Sequence, residues 1–147
     1  MLELLTDLNI AYPQDFDDDG VASLSGYMGS WVTTNSDSEL TLTTVAVQPA
    51  YPVWNESSVV GETSRGYTDD VTETGKLTVL VGYHRARTNQ YTGTPSVNDI
   101  LATTSLGVLS TQASPGEGKA IAVCTRSPHA VTYRGTSFTC IEYETLK

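Results

Sequence analysis

The chain has 147 residues, 39 % hydrophobic and 17 % charged, with a formal net charge of −9, a length that suits one domain with a single core. No run approaches the ~18 unbroken apolar residues of a membrane helix, and MLELLTDLNI carries acids where a secretory leader carries bases. The acidic balance gives duplex nucleic acid an unfavourable field to approach, so neither a membrane nor a nucleic acid is expected as partner.

In chain order, residues 1–20 read as an irregular acidic arm and residues 21–147 as the folded domain. Within the arm, DFDDDG places Asp15, Asp17 and Asp19 at alternate positions before Gly20, like the first half of a calcium loop built from oxygen ligands. The twelfth position from Asp15 is Gly26 rather than the bidentate Glu such a loop needs, which favours a solvated acidic turn. No metal and no cofactor are expected.

The segments SWVTTN, ELTLTTVAV, AYPVWN, KLTVLVGY, DILATT, GVLSTQ, KAIAVCTR and SFTCIEYE follow. They are short, β-branched or aromatic, and bounded by Gly, Pro, Asn, Asp and Ser, as strands are. Long windows with a 3.6-residue apolar period are missing. The pattern predicts about eight strands in an all-β fold, a single antiparallel β-sandwich or jelly-roll-like barrel with long loops. Alternation at Leu40, Leu42 and Thr44, and at Leu77, Val79 and Val81, predicts one core face and one wetter face. Asn35-Ser36-Asp37-Ser38 marks a hairpin over residues 30–47, and Ser105 to Gly107 a second reversal. Residues 55–75, and again 87–98, read as loops leaving the sheet.

The charge is uneven along the chain. Residues 1–75 hold 13 acids and one base, Arg65, while residues 76–147 hold 4 acids and 7 bases. Such asymmetry suits contact between copies or with a basic partner.

Chemistry-bearing residues are few. Cys124 and Cys140 lie in segments expected to pair antiparallel about a turn near residues 129–135, which would bring the sulfurs close across the ladder. In a reducing compartment they stay as thiols. His84 and His129, the two histidines, lack HExxH or HxH context, and packed or rim positions are expected of them. The sequence has no GxSxG, Walker-type or GxGxxG motif. Carboxylates gathered by folding, such as Asp69 or Asp70 with Glu142, would leave no linear signature, but no catalytic residue is assigned and no enzyme or small-molecule substrate is expected. Trp31 and Trp54 are expected to anchor the core or an interface. Tyr67 and Tyr91 are the loop tyrosines that an exposed stacking surface for glycan would use.

Read in order, GYMGSWVTTNSDSELTLTT, QPAYPVWNESSVVG, GKLTVLVGYHRARTNQY, SVNDILATTSLGVLSTQASPGEGKAIAVCTRSP and SFTCIEYETLK resemble the small β-rich decoration or cement proteins of tailed bacteriophages, over about residues 21–145. The resemblance implies a structural virion protein on the outer capsid surface, made in the host bacterial cytoplasm. It also implies the major capsid protein as partner and a homotrimer. The same grammar occurs in other virion components, so a tail or fibre module recognising glycan or a host receptor is the alternative. Asn98 stands where that pattern often has glycine, and residues 1–20 have no counterpart in it.

Overall fold

The computed structural model describes residues 1–5, 11–17, 29–34, 40–42, 50–55, 76–104, 107–112, 120–133 and 135–146. For residues 11–17, 40–42, 54–55 and 76–78 the description is of the backbone. The fold is all-β: every strand pairing is antiparallel, and the strands form two open sheets, a sandwich rather than a closed barrel. One sheet orders β1 (Leu2–Leu4), β7 (Arg85–Thr88), β11 (Thr136–Thr145), β10 (Ala122–Tyr133), β8 (Ile100–Thr103) and β9 (Leu109–Thr111). The other orders β2 (Ala11–Asp17), β6 (Lys76–Gly82), β5 (Tyr51–Asn55), β3 (Trp31–Thr34) and β4 (Leu40–Leu42).

The eight expected segments correspond to β3, β4, β5, β6, β8, β9, β10 and β11. Of the expected 30–47 hairpin, β3 and β4 pair, with Val32 opposite Leu42 and Thr34 opposite Leu40; residues 35–39 and 43–47 lie outside the described residues. The second reversal joins β8 to β9, and Gly107 there has φ of +69°. Three further strands lie wholly or partly where irregular chain was expected. Arg85–Thr88 is β7, so the loop begins after Thr88. Residues 1–20, read as an arm, instead supply β1 and β2. Leu2 is 2 % exposed and belongs to the core cluster, with its neighbours along β1 paired to β7. Burial of Leu2 and a full ladder partner outweigh the irregular local pattern that marked the segment as an arm.

The single core face expected of β4 and β6 is not seen in β6, where Val79 and Leu80 are both buried, and the β4 side chains lie outside the described residues; the alternation runs instead along the six-stranded sheet. In the six-stranded sheet Leu2, Ala86, Cys124, Ile141 and Tyr143 turn inward, while the positions between them carry charge. Glu3 lies opposite Arg87, Arg87 opposite Glu142, and Glu142 opposite Arg126, a row of alternating sign across four strands. Arg87 Nε donates to Glu3 Oε2 at 2.5 Å, and this bond lowers the Glu3 pKa below its ordinary value. In the five-stranded sheet Val32, Val53 and Val79 are buried as well as Trp31 and Leu80, which occupy the opposite face. The near-continuous apolar run of β6 is the pattern of a strand covered on both faces.

Trp31 links the two sheets. It starts β3 in one sheet and joins the cluster built by Leu2, Ala86, Ile141 and Tyr143 in the other. The chain beside it runs tight: Gly29 has φ of +93°, and a Cβ there would meet Thr88 Oγ1 at 2.8 Å and the Met1 carbonyl at 2.9 Å. Only glycine satisfies both that backbone and that clearance.

The expected β10–β11 hairpin is present, but the sulfurs do not face each other. Its register places Cys124 opposite Tyr143 and Cys140 opposite His129. The reason is the turn: Tyr133 pairs with Thr136, so the reversal sits at the far end of the anticipated region and slides the two cysteines apart. Both are buried free thiols, and burial raises the pKa of each. Cys124 Sγ donates to the Arg126 carbonyl at 3.3 Å, and Cys140 Sγ to Met1 Sδ at 3.4 Å.

Candidate functional site

Where β6 hands the chain to β7, it crosses from one sheet to the other through Gly82, Tyr83 and His84. The φ of +102° at Gly82 makes the bend possible. His84 is thereby driven inward, 1 % exposed, between the sheets. Its ring stacks on Trp31, with centroids 6.4 Å apart and planes at 21°, and meets Tyr143 edge-on at 5.5 Å.

The hydrogen bonds fix its tautomer. Nδ1 lies 3.0 Å from the Gly82 carbonyl, which can only accept, so Nδ1 carries the proton. Nε2, 3.0 Å from Tyr143 Oη, then accepts from the tyrosine hydroxyl. Burial lowers the His84 pKa, and burial raises that of Tyr143. Protonated His84 would turn Nε2 into a donor and strand the Tyr143 hydroxyl hydrogen in the core. The histidine is packed and held neutral, in the buried kind of position its sequence context suggested.

A cavity of about 380 Å³ opens beside this cluster at the end of the sandwich. Trp31, Pro52, Leu80 and Ile121 give it apolar walls; Tyr51, Tyr83 and Leu146 are also among its lining residues. Its inner polar groups are already engaged. Thr145 Oγ1 accepts from the His84 backbone N–H at 2.9 Å and donates to the His84 carbonyl at 3.2 Å. Tyr83 donates its hydroxyl to Glu144, a bond that raises the tyrosine pKa. The cavity thus combines apolar walls with the hydrogen-bonded side chains of Thr145 and Tyr83.

The remaining sequence candidates are dispersed. Glu142 stands in the charged row, 3.3 Å from Arg126 Nη1 and 3.4 Å from His129 Nε2. Asp69, Asp70 and Tyr67 lie outside the described residues. Tyr91 is half-buried against the core cluster, bridges Leu109, and has its pKa raised by burial, so it is no exposed platform. Trp31 is the expected core anchor; the side chain of Trp54 is outside the described residues. Asp15 and Asp17 sit in the extended edge strand β2, opposite Thr78 and Lys76, rather than in a turn; Asp19 is outside the described residues. Among the described residues no cluster of three or more His, Cys, Asp or Glu side chains is placed to hold a metal. The His84–Trp31–Tyr143 cluster itself was not foreseen, because nothing local in GYHRART signals contact with residues 31 and 143.

A pH effect follows. Unfolded, His84 titrates near its ordinary value; folded, it titrates lower. Between those two values the unfolded chain binds a proton that the folded chain refuses, so stability falls as pH falls. This component has a slope of at most about 1.4 kcal/mol per pH unit, confined to the window below ~6.5. Urea unfolding from pH 7 to pH 5 should show it, and His84→Gln should remove it. An unchanged pH slope in that variant would contradict the assignment.

No protein-family model matches the chain, and no curated protein and no solved structure matches it either.

Proposed function

We propose that the chain is a structural virion protein that binds the outside of a bacteriophage head and stabilises the assembled capsid, with the major capsid protein as its partner. The observation that carries this reading is the succession of strands. The segments resembling cement proteins form β3 and β4, then β5, then β6 and β7, then β8, β9 and the start of β10, then β11. A protein that binds the assembled shell and not its free subunits stabilises the shell by mass action. Repetition over a symmetric surface multiplies modest contacts into lasting attachment. Two buried thiols accord with synthesis in a reducing bacterial cytoplasm. The trimer that the resemblance implies belongs to the same proposal.

A second reading, a tail or fibre module for glycan or a host receptor, draws on Tyr51 and Tyr83, which line the 380 Å³ cavity. One experiment separates the two. Cryo-electron microscopy of the purified virion is expected to show this chain's density on the outer face of the head. Density confined to the tail favours the second reading, and a virion without the chain ends both.

A further inference from the structure

Open strand edges invite pairing with another chain, and folded proteins blunt them with proline, charge, bulges or shortness. Among the described residues the edges of this sandwich can be taken in turn. β1, β4 and β9 are three residues long, and β9 is further capped where Leu109 bonds with Gln90 and Thr92. β2 carries Pro13. The outer edge of β10 carries Pro128, inside an irregularity between Arg126 and His129.

One edge has none of these devices. β11 pairs with β7 only from Ile141 to Glu144. Residues 136–139 have β10 on one side and, among the described residues, no strand on the other. Their sequence is Thr-Ser-Phe-Thr, with no charge, no proline and no bulge. Thr136, Ser137 and Thr139 are exposed. The Thr145 N–H donates to the His84 carbonyl, so the odd-numbered residues of β11 turn their backbone groups toward the β7 side and the even-numbered ones toward β10. By alternation, the backbone N–H and C=O of Ser137 and Thr139 point away from β10, toward the open side.

We propose that this edge pairs with the same edge of a second copy, antiparallel about a two-fold axis, joining two β10–β11 ribbons into one four-stranded sheet. Electrostatics permit a second copy at this place. Two copies each at −9 repel through their acids, yet residues 122–145, the span of β10 and β11, hold two acids, Glu142 and Glu144, and two bases, Arg126 and Arg134, for a net charge of zero. The ribbon is a stretch through which like-charged copies approach with little opposition. An identical edge is also self-complementary, as an isologous contact requires. This contact is two-fold, unlike the three-fold cluster implied by the cement-protein resemblance, and it does not depend on that reading.

Sedimentation equilibrium of the full chain tests it, together with amide hydrogen exchange. With rising concentration the mass should move from 15.8 kDa toward twice that value, and exchange at Ser137 and Thr139 should slow. Ser137→Pro removes an outward N–H without breaking a β10–β11 bond, and Thr139→Lys sets two like charges near the axis. Each variant should stay at the single-chain mass. Thr139→Lys supplies a variant with all its backbone donors, should the proline disturb folding. A mass that stays single at every concentration would overturn the proposal. So would a trimer in which the Ser137 and Thr139 amides still exchange freely, or a dimer that survives both substitutions.

Discussion

Replacing Trp31 with alanine is expected to lower the unfolding free energy by about 3–5 kcal/mol, the range for losing a large aromatic from a tight core. Trp31 is 2 % exposed and touches both sheets, stacking on His84 and tilting against Tyr143 at 5.9 Å. The loss is therefore that of the joint between two sheets rather than of one packing contact. Trp31 Nε1 is buried and has no hydrogen-bond partner among the described residues, and an unmet buried donor costs about 1–3 kcal/mol. Trp31→Ala and Trp31→Phe both remove that unmet donor, but phenylalanine keeps a ring between the sheets. It should therefore cost less than half as much as alanine. Urea midpoints for the two variants give the comparison, and equal losses would show that a ring at this position restores none of the packing.

The sandwich was legible because its strands are punctuated. Asn35-Ser36-Asp37-Ser38 and Ser105 to Gly107 announce hairpins by turn chemistry that acts within four residues, and in both the flanking strands pair. The Cys124–Cys140 relation was not legible, since antiparallel register depends on where a turn closes; placing the turn a few residues too early misaligns the whole ladder. β7 was hidden by its own composition. Arg-Ala-Arg-Thr reads as polar chain until its neighbours are known, when Arg85 and Arg87 prove to be the outward half of an alternation whose inward half is Ala86 and Thr88. The cavity cluster is less legible still, because it joins residues 31, 84 and 143 from three distant strands.

Removing residues 1–5 should be as damaging as a core truncation, although the segment's sequence suggests a dispensable arm. Leu2 is 2 % exposed, and truncating a buried leucine alone costs about 2–5 kcal/mol. The deletion also removes the Met1 carbonyl that accepts from Thr88 Oγ1 at 2.7 Å, leaving a buried hydroxyl without that partner. It exposes the edge of β7 as well, which β1 otherwise covers. The Glu3–Arg87 pair adds less, because both side chains are partly exposed, 32 % and 26 %, and such pairs are worth about 0–1 kcal/mol. Leu2→Ala should accordingly reproduce most of the loss, and Glu3→Gln little of it. If residues 1–5 served only to grip a partner, their deletion would leave the urea midpoint where it is while attachment failed. A strand in the core requires the opposite: the midpoint drops first, and any loss of attachment follows from the loss of the folded body.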